Sequence, residues 1–424
     1  MGIRRGITGV ALLAATFLIG APAIAAAESR SSELDRVVDT GDVSVAVAAR
    51  GSTLYEHAAG EERTPASVQK VLLSMALFDE LGPGHRITTR VLSTKNRGAA
   101  GNLWVVGGGD PTMVSGAGDH THTGVGRLAN RIARAGIERV RRSVIVDSTL
   151  FSNDWHAPGW QPWSRGFAAR PTALAVDGNG SPDPPLAFGG ALTDALEARG
   201  IAVVGEPRFG RVPARARVVA RVRSVPFRVL VTRMNTTSSN FYAEMLGKLL
   251  GTRAFGPPGT MSKGARAIEG FAAEHGVELT AHDSSGLSYA NRVSAHDLVV
   301  LLDHARRQPW GRALRLSLPS PGEGTLASRL QGVQLHAKTG TLWNGSSALA
   351  GWVRLRRGRM ASFAILAHGT GKSIEDEIVN RITTELKGPK GRASNCQLDG
   401  SPADTRCHLE HWWKEIGPPA RTPE

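Results

Sequence analysis

The sequence predicts an α+β fold in which one helix-and-strand domain is interrupted by a strand-rich insertion. Three observations lead there. Capped helical segments with buried faces recur from residue 65 to the far end of the 424-residue chain. The C-terminal part alternates apolar strands with turn residues, at Val333–Ala337, Ala348–Leu355 and Met360–Ala367. Between them, from about Thr94 to Arg228, the chain turns Gly- and Pro-rich, with short strands and few helices.

The elements follow in order. Residues 1–27 read as a secretory signal peptide. Arg4 and Arg5 make a positive start, and Ile7 to Ile19 is apolar but short for a membrane span. Small residues offer cleavage after Ala25 or Ala27. The main domain covers 28–93 and 229–387, the insertion 94–228, and a Pro-, Gly- and charge-rich tail 388–424. Thr64 as N-cap and Pro65 as first helical residue open a helix. Val71, Leu72, Met75, Ala76, Phe78 and Leu81 sink it into a core, and Gly82-Pro83-Gly84 stops it. Leu103–Val106 and Val144–Asp147 read as strands of the insertion, and Val229–Thr232 as a strand after it. Helices follow at Phe241–Leu250 and Ala295–Arg307, the latter capped by Ser294 with Asp297 three residues on. A last helix at Ile374–Leu386 follows the hairpin that turns at 356–359.

Composition narrows the function. The formal charge is +14, and +12 without residues 1–27, which carry two arginines and no acid. A basic exported chain attracts polyanions, here anionic wall polymers or a membrane surface. With three tyrosines and no dominant basic run, a nucleic-acid platform is not supported. Export places the protein outside the cytoplasm, in the periplasm, the cell envelope or the medium, away from ATP. Gly371-Lys372-Ser373 is no phosphate loop either, because the glycine required at 366 is Leu366. Asp119, His120 and His122 read as a polar surface loop rather than a metal site. Cys396 and Cys407, beside His408 and His411, fit a disulfide, a zinc knot or free thiols.

Three short motifs carry the chemistry: Ser67-Val-Gln-Lys70, Ser238-Ser239-Asn240 and Lys338-Thr339-Gly340. Among nine lysines only Lys70 has a serine three residues before it, and Lys-Thr-Gly occurs once. A serine hydroxyl is a weak nucleophile and needs a base beside it. Three residues apart at a helix start, Ser67 and Lys70 share one face. A lysine becomes a base when burial and a second cation, here Lys338, lower its pKa. Ser238 and Asn240 can offer a proton-relaying hydroxyl and a substrate-holding amide. Lys338 and Thr339 suit a free carboxylate, and Gly340 admits close backbone approach. The variant triplet His122-Thr123-Gly124 precedes the middle motif and is set aside. The set, in this order, is the signature of penicillin-binding proteins and class A β-lactamases.

The chain resembles the DacB-type, low-molecular-mass class C penicillin-binding proteins, over residues from about 30 to 388. Thr64-Pro-Ala-Ser-Val-Gln-Lys70, Asn102–Thr112, Ala157-Pro-Gly-Trp160, Met234–Asn240 with Ala243-Glu244, Asp283–Ser288, Gly324-Thr-Leu326 and Ala337–Thr341 carry the likeness. One departure is Ser239, where Asp is common. The resemblance implies a penicillin-binding/β-lactamase-like serine transpeptidase domain, an antiparallel sheet flanked by helices, split by a β-rich inserted domain. It implies a D-alanyl-D-alanine carboxypeptidase, with endopeptidase action within reach, that works on peptidoglycan stem peptides without a cofactor or metal and is acylated by β-lactams. Ser67 would attack, with Lys70 as base and Asn240 holding it. Ser238 and Lys338 would pass the proton on, and Lys338 and Thr339 would hold the carboxylate beside Gly340. The backbone N–H groups of Ser67 and Thr341 would stabilise the oxyanion. A secreted β-lactamase would usually be shorter and lack the insertion, and a wall-binding scaffold would not need every reactive residue.

Overall fold

The computed structural model describes residues 32–386 apart from Arg357. Residues 1–27, the tail from 388, and Cys396 and Cys407 lie outside the described residues.

Two sheets organise the chain. The first is antiparallel throughout and runs in the order 335–341, 346–354, 360–368, 42–49, 52–57. The strand 42–49 thus pairs with a strand more than 300 residues later, Val45 opposite Ile365. Both faces of 42–49, 346–354 and 360–368 are covered, which is why these strands read as nearly unbroken apolar runs. Ala46, Ala348, Ala350, Trp352, Ala364 and Leu366 face a layer of six helices. These are Gln69–Leu81, Phe227–Thr236, Asn240–Phe255, Met261–Glu274, Ala295–Arg307 and Gly311–Ser317. Val45, Val47, Leu349, Val353, Phe363 and Ile365 face the other way, against Glu33–Val38 and Lys372–Glu385. This layer-on-sheet arrangement is the expected α+β class.

The second sheet is mixed, in the order 202–209, 137–147, 103–106, 88–93, 217–223, and 98–100 also pairs with 137–147. It builds its own core with the helices Val125–Arg134 and Pro184–Glu197, through residues such as Val105, Val144, Leu128, Phe188 and Leu192.

The insertion carries two full helices as well as strands. Three sequence expectations need correction. Thr88–Ser93 pairs in the second sheet, so a boundary at 94 cuts a strand from its partners. Val229–Thr232 is not a strand but lies in the helix Phe227–Thr236. Its β-branched run suggests extended chain. However, Phe227, Leu230, Val231 and Met234 fall on one helical face, and burying that face decides the conformation. Finally, Thr64 does not cap a helix. Ala66–Val68 is a single tight turn, and the α-helix proper starts at Gln69.

Candidate active site

Ser67 lies in the turn Ala66–Val68, half-buried, at the positive end of the helix Gln69–Leu81. Ala66 just before it sits in the left-handed region at φ 45°. That conformation is held from two sides. A Cβ on Gly286 would come within 1.8 Å of the Ala66 carbonyl oxygen. One on Gly340 would come within 3.0 Å of both the Ala66 Cβ and the Ser67 nitrogen. Only glycine lets both backbones approach this closely. A non-glycine residue at positive φ is a strain the surrounding packing must hold.

Lys70 is the second residue of the helix and has no exposed surface. Its Nζ lies 2.9 Å from Ser67 Oγ, 2.8 Å from Asn240 Oδ1 and 2.5 Å from the Ser285 carbonyl oxygen. Burial pushes its pKa down to about 7, against the opposing pull of Asp283 and Glu244.

Asn240 opens the helix Asn240–Phe255, with Ser239 as its N-cap accepting from the Tyr242 N–H at 3.3 Å. The Asn240 Nδ2 donates to the Phe167 carbonyl at 3.1 Å, so the inserted segment reaches the site. Ser238 is in the turn between two helices rather than after a strand, at φ 53°, half-buried.

Lys338, Thr339 and Gly340 lie inside the strand Leu335–Thr341 rather than at its end. Lys338 is fully buried and its Nζ donates to the Thr339 carbonyl at 2.7 Å. Burial, then Lys70, then Lys372 hold its pKa well below the ordinary lysine value. The Thr339 hydroxyl donates to Thr325 Oγ1 at 2.8 Å. Thr341 is exposed and follows Gly340, which packs on the Ser67 turn. The structure therefore joins Ser67, Lys70 and Asn240 by direct hydrogen bonds. It sets the 338–341 segment against the same turn and leaves Ser238 without a hydrogen bond to Lys70 or Lys338.

One structural hub was not assigned a role from sequence. Asp283 is buried and accepts from the Trp160 indole (2.7 Å), the Gly286 N–H (2.9 Å), the Ser288 N–H (2.8 Å), Asn291 Nδ2 (2.8 Å) and the Ser285 hydroxyl (3.3 Å). These bonds shape the loop whose Ser285 carbonyl holds Lys70. A backbone carbonyl has no sequence signature, but the cluster Asp283-Ser-Ser-Gly286 is the signal that could have found it. At the mouth of the site, Phe167 and Trp343 are 48% and 79% exposed, with ring centroids 6.4 Å apart.

The sequence matches the D-Ala-D-Ala carboxypeptidase 3 (S13) family over residues 32–182 and 180–386. The chain belongs to that family. It is a serine-type D-Ala-D-Ala carboxypeptidase, a peptidase of the hydrolase class. Among S13 relatives, a D-alanyl-D-alanine carboxypeptidase from an Actinomadura species is 29% identical over 90% of this chain and 90% of its own length. The carboxypeptidase DacB of Mycolicibacterium smegmatis is 31% identical over 76% of this chain and 75% of its own. The fold is that of penicillin-binding protein 4 (DacB) from Haemophilus influenzae. That match has a TM-score of 0.71 at 19% identity, over 82% of this chain and 98% of the other.

Proposed function

We propose that this S13 chain hydrolyses the terminal D-alanine of peptidoglycan stem peptides through an acyl-enzyme on Ser67, outside the cytoplasm. The single observation that carries the mechanism is the coordination of Lys70. A neutral amine has two N–H donors and one lone pair. Asn240 Oδ1 and the Ser285 carbonyl can only accept, so they take the two N–H groups and turn the lone pair toward Ser67 Oγ at 2.9 Å. With its pKa near 7, Lys70 is poised as a general base at neutral pH.

The steps follow. Lys70 takes the Ser67 proton as Oγ attacks the carbonyl between the two D-alanines. The backbone N–H groups of Ser67 and of Thr341, the residue after the glycine that packs on the turn, receive the oxyanion. The Ser238 hydroxyl and Lys338 carry the proton to the departing amine, and the C–N bond breaks. Lys338 and Thr339 meet the substrate carboxylate, which supplies a counter-charge for a buried lysine. Water, activated by the same base, then frees the acylated peptide and restores Ser67. A β-lactam presents an amide and a carboxylate to the same groups and would remain on Ser67. The Haemophilus protein has also been solved with a β-lactam bound.

Two finer readings belong here. Export is the reading of residues 1–27. Among the described residues, no helix is long and apolar enough to cross a membrane. Contact with anionic wall polymers or a membrane surface is supported by residues 88–223, which hold 18 Lys and Arg against 10 Asp and Glu. There Arg90 stands opposite Arg221 on paired strands, both exposed.

The deciding experiment is an intact-mass measurement after brief exposure to benzylpenicillin, on the wild type and Ser67→Ala. One adduct on the wild type alone is expected. An adduct on both would place the nucleophile elsewhere. Unmodified protein with hydrolysed drug would mean β-lactamase turnover, and unmodified protein with intact drug would mean an unassembled site.

A further inference from the structure

Glu244 lies in the first turns of the helix Asn240–Phe255, four residues after Asn240 and on the same face. It has no exposed surface. Its Oε1 accepts two backbone N–H groups, from Ser284 at 3.2 Å and Ser285 at 2.8 Å. The carbonyl of that same Ser285 takes a hydrogen bond from Lys70. One helix therefore addresses Lys70 twice, directly through Asn240 and through the 284–285 backbone by way of Glu244.

The charges around Glu244 are few. Lys70 faces it from the helix Gln69–Leu81 and Asp283 from the 283–288 loop, while Lys248 stands one turn on along its own helix. Lys338 lies beyond Lys70, on the strand 335–341. Asp283 accepts five hydrogen bonds and Lys248 is already engaged by Asp154 at 2.7 Å. Glu244 Oε2, by contrast, is buried without a hydrogen-bond partner among the described residues. A carboxylate with one bare oxygen, beside a second and fully solvated-by-protein carboxylate, is an unfavourable place for charge. Were Lys70 to become neutral as a base, two ionised carboxylates would also be left in one dry pocket.

We propose that Glu244 is a positioning residue that rests protonated, holding the Ser285 carbonyl on Lys70 without placing a second negative charge beside it. Burial and Asp283 push its pKa up to about 8, in line with that geometry. An ionised carboxylate at this position would grip the same two N–H groups but would draw a proton onto Lys70. The base would then hold its proton to higher pH. The neutral acid keeps the grip and leaves the lysine free to act. The inference rests on Lys70 being the base, which Lys70→Met tests separately.

The test compares Glu244→Ala with Glu244→Gln, an amide of the same shape as the protonated acid, by β-lactam acylation rate against pH. Glu244→Ala loses the grip on the loop, and acylation falls roughly 100-fold from misplacement of the base. Glu244→Gln is expected to rescue it to within roughly threefold, with the acid limb of the profile where wild type has it. A second readout is thermal stability against pH. A carboxyl whose folded pKa is raised to about 8 loses its contribution as pH rises from its ordinary range to that value. Stability of Glu244→Gln relative to wild type should therefore climb over that window and then level off. The proposal is overturned if the acid limb of Glu244→Gln moves to lower pH, which would mean an ionised wild-type Glu244. It is equally overturned if the Gln variant is as slow as the Ala variant or does not fold, or if its relative stability is flat with pH. If Lys70→Met acylates normally, the reading of the base has failed instead.

Discussion

Lys70 and Lys248 are both buried without exposed surface, both sit on helices, and both reach backbone carbonyls, yet their other partners differ. Lys248 Nζ bonds the Ser152 and Asp154 carbonyls at 3.0 and 2.7 Å and meets the Asp154 carboxylate at 2.7 Å. It is a pinned cation that ties the inserted segment to the helix Asn240–Phe255. Lys70 bonds a hydroxyl, an amide and one carbonyl, and no carboxylate touches it. Burial drags both lysines down from their ordinary value. A carboxylate in contact opposes that pull at Lys248. At Lys70 no carboxylate is in contact, and Asp283 acts only from behind the first layer of partners. On the mechanism proposed above, what separates a structural lysine from a reactive one is the charge of the atom it touches, not the depth at which it lies.

The sharpest way to break this comparison is Lys70→Met, which removes the base but keeps the volume. Acylation by penicillin should fall by about 10³-fold, in the range of a lost general base, while the melting temperature changes little. A rate within tenfold of wild type would remove Lys70 from the mechanism. Lys248→Met should do the reverse. It strands the Asp154 carboxylate and the carbonyls around it, and should cost about 3 kcal/mol of stability in a denaturant titration. The acid limb of its acylation profile should stay in place, and movement of that limb would mean the two lysines are not independent. A finer test is the pH profile of the wild type. Only neutral Lys70 can accept a proton, so acylation should rise with pH through about 7 and be about tenfold slower one unit below. A rise only near the ordinary lysine value would show that burial does not tune the base. The smallest effect concerns Ser239, which caps its helix but touches neither lysine. Ser239→Ala should cost about 1 kcal/mol, and Ser239→Asp almost nothing, with both leaving the pH profile unmoved.

The sequence made parts of this arrangement legible and hid others for physical reasons. The helix Ala295–Arg307 begins and ends where its capping serine and apolar spacing put it. The strands at 346–354 and 360–368 stood out because burial on both faces leaves them almost free of polar residues. Val229–Thr232 misled because β-branched residues suggest a strand locally, while the face that must be buried is helical. The helices Val125–Arg134 and Pro184–Glu197 lay unread inside a Gly-rich stretch, since glycines flanking an element say little about the element. Of the site, Ser67, Lys70 and Asn240 were written in spacing. The Ser285 carbonyl could not be, because every residue has one. Glu244 and Asp283 stood in recognisable clusters, but their roles depend on which backbone N–H groups they meet, and only the fold decides that.

The pinching of Ala66 between Gly286 and Gly340 also has a consequence in time. Ser67 and Lys70 emerge early in synthesis. The backbone that forces the serine's turn comes some 220 and 270 residues later, and Asn240 and Ser285, which hold the lysine, come 170 and 215 residues after it. On the mechanism proposed above, an unfinished or unfolded chain carries a serine and a lysine but no nucleophile. Reactivity appears only when the strand 335–341 closes on the N-terminal turn, so the order of synthesis itself keeps the site silent until the fold is complete.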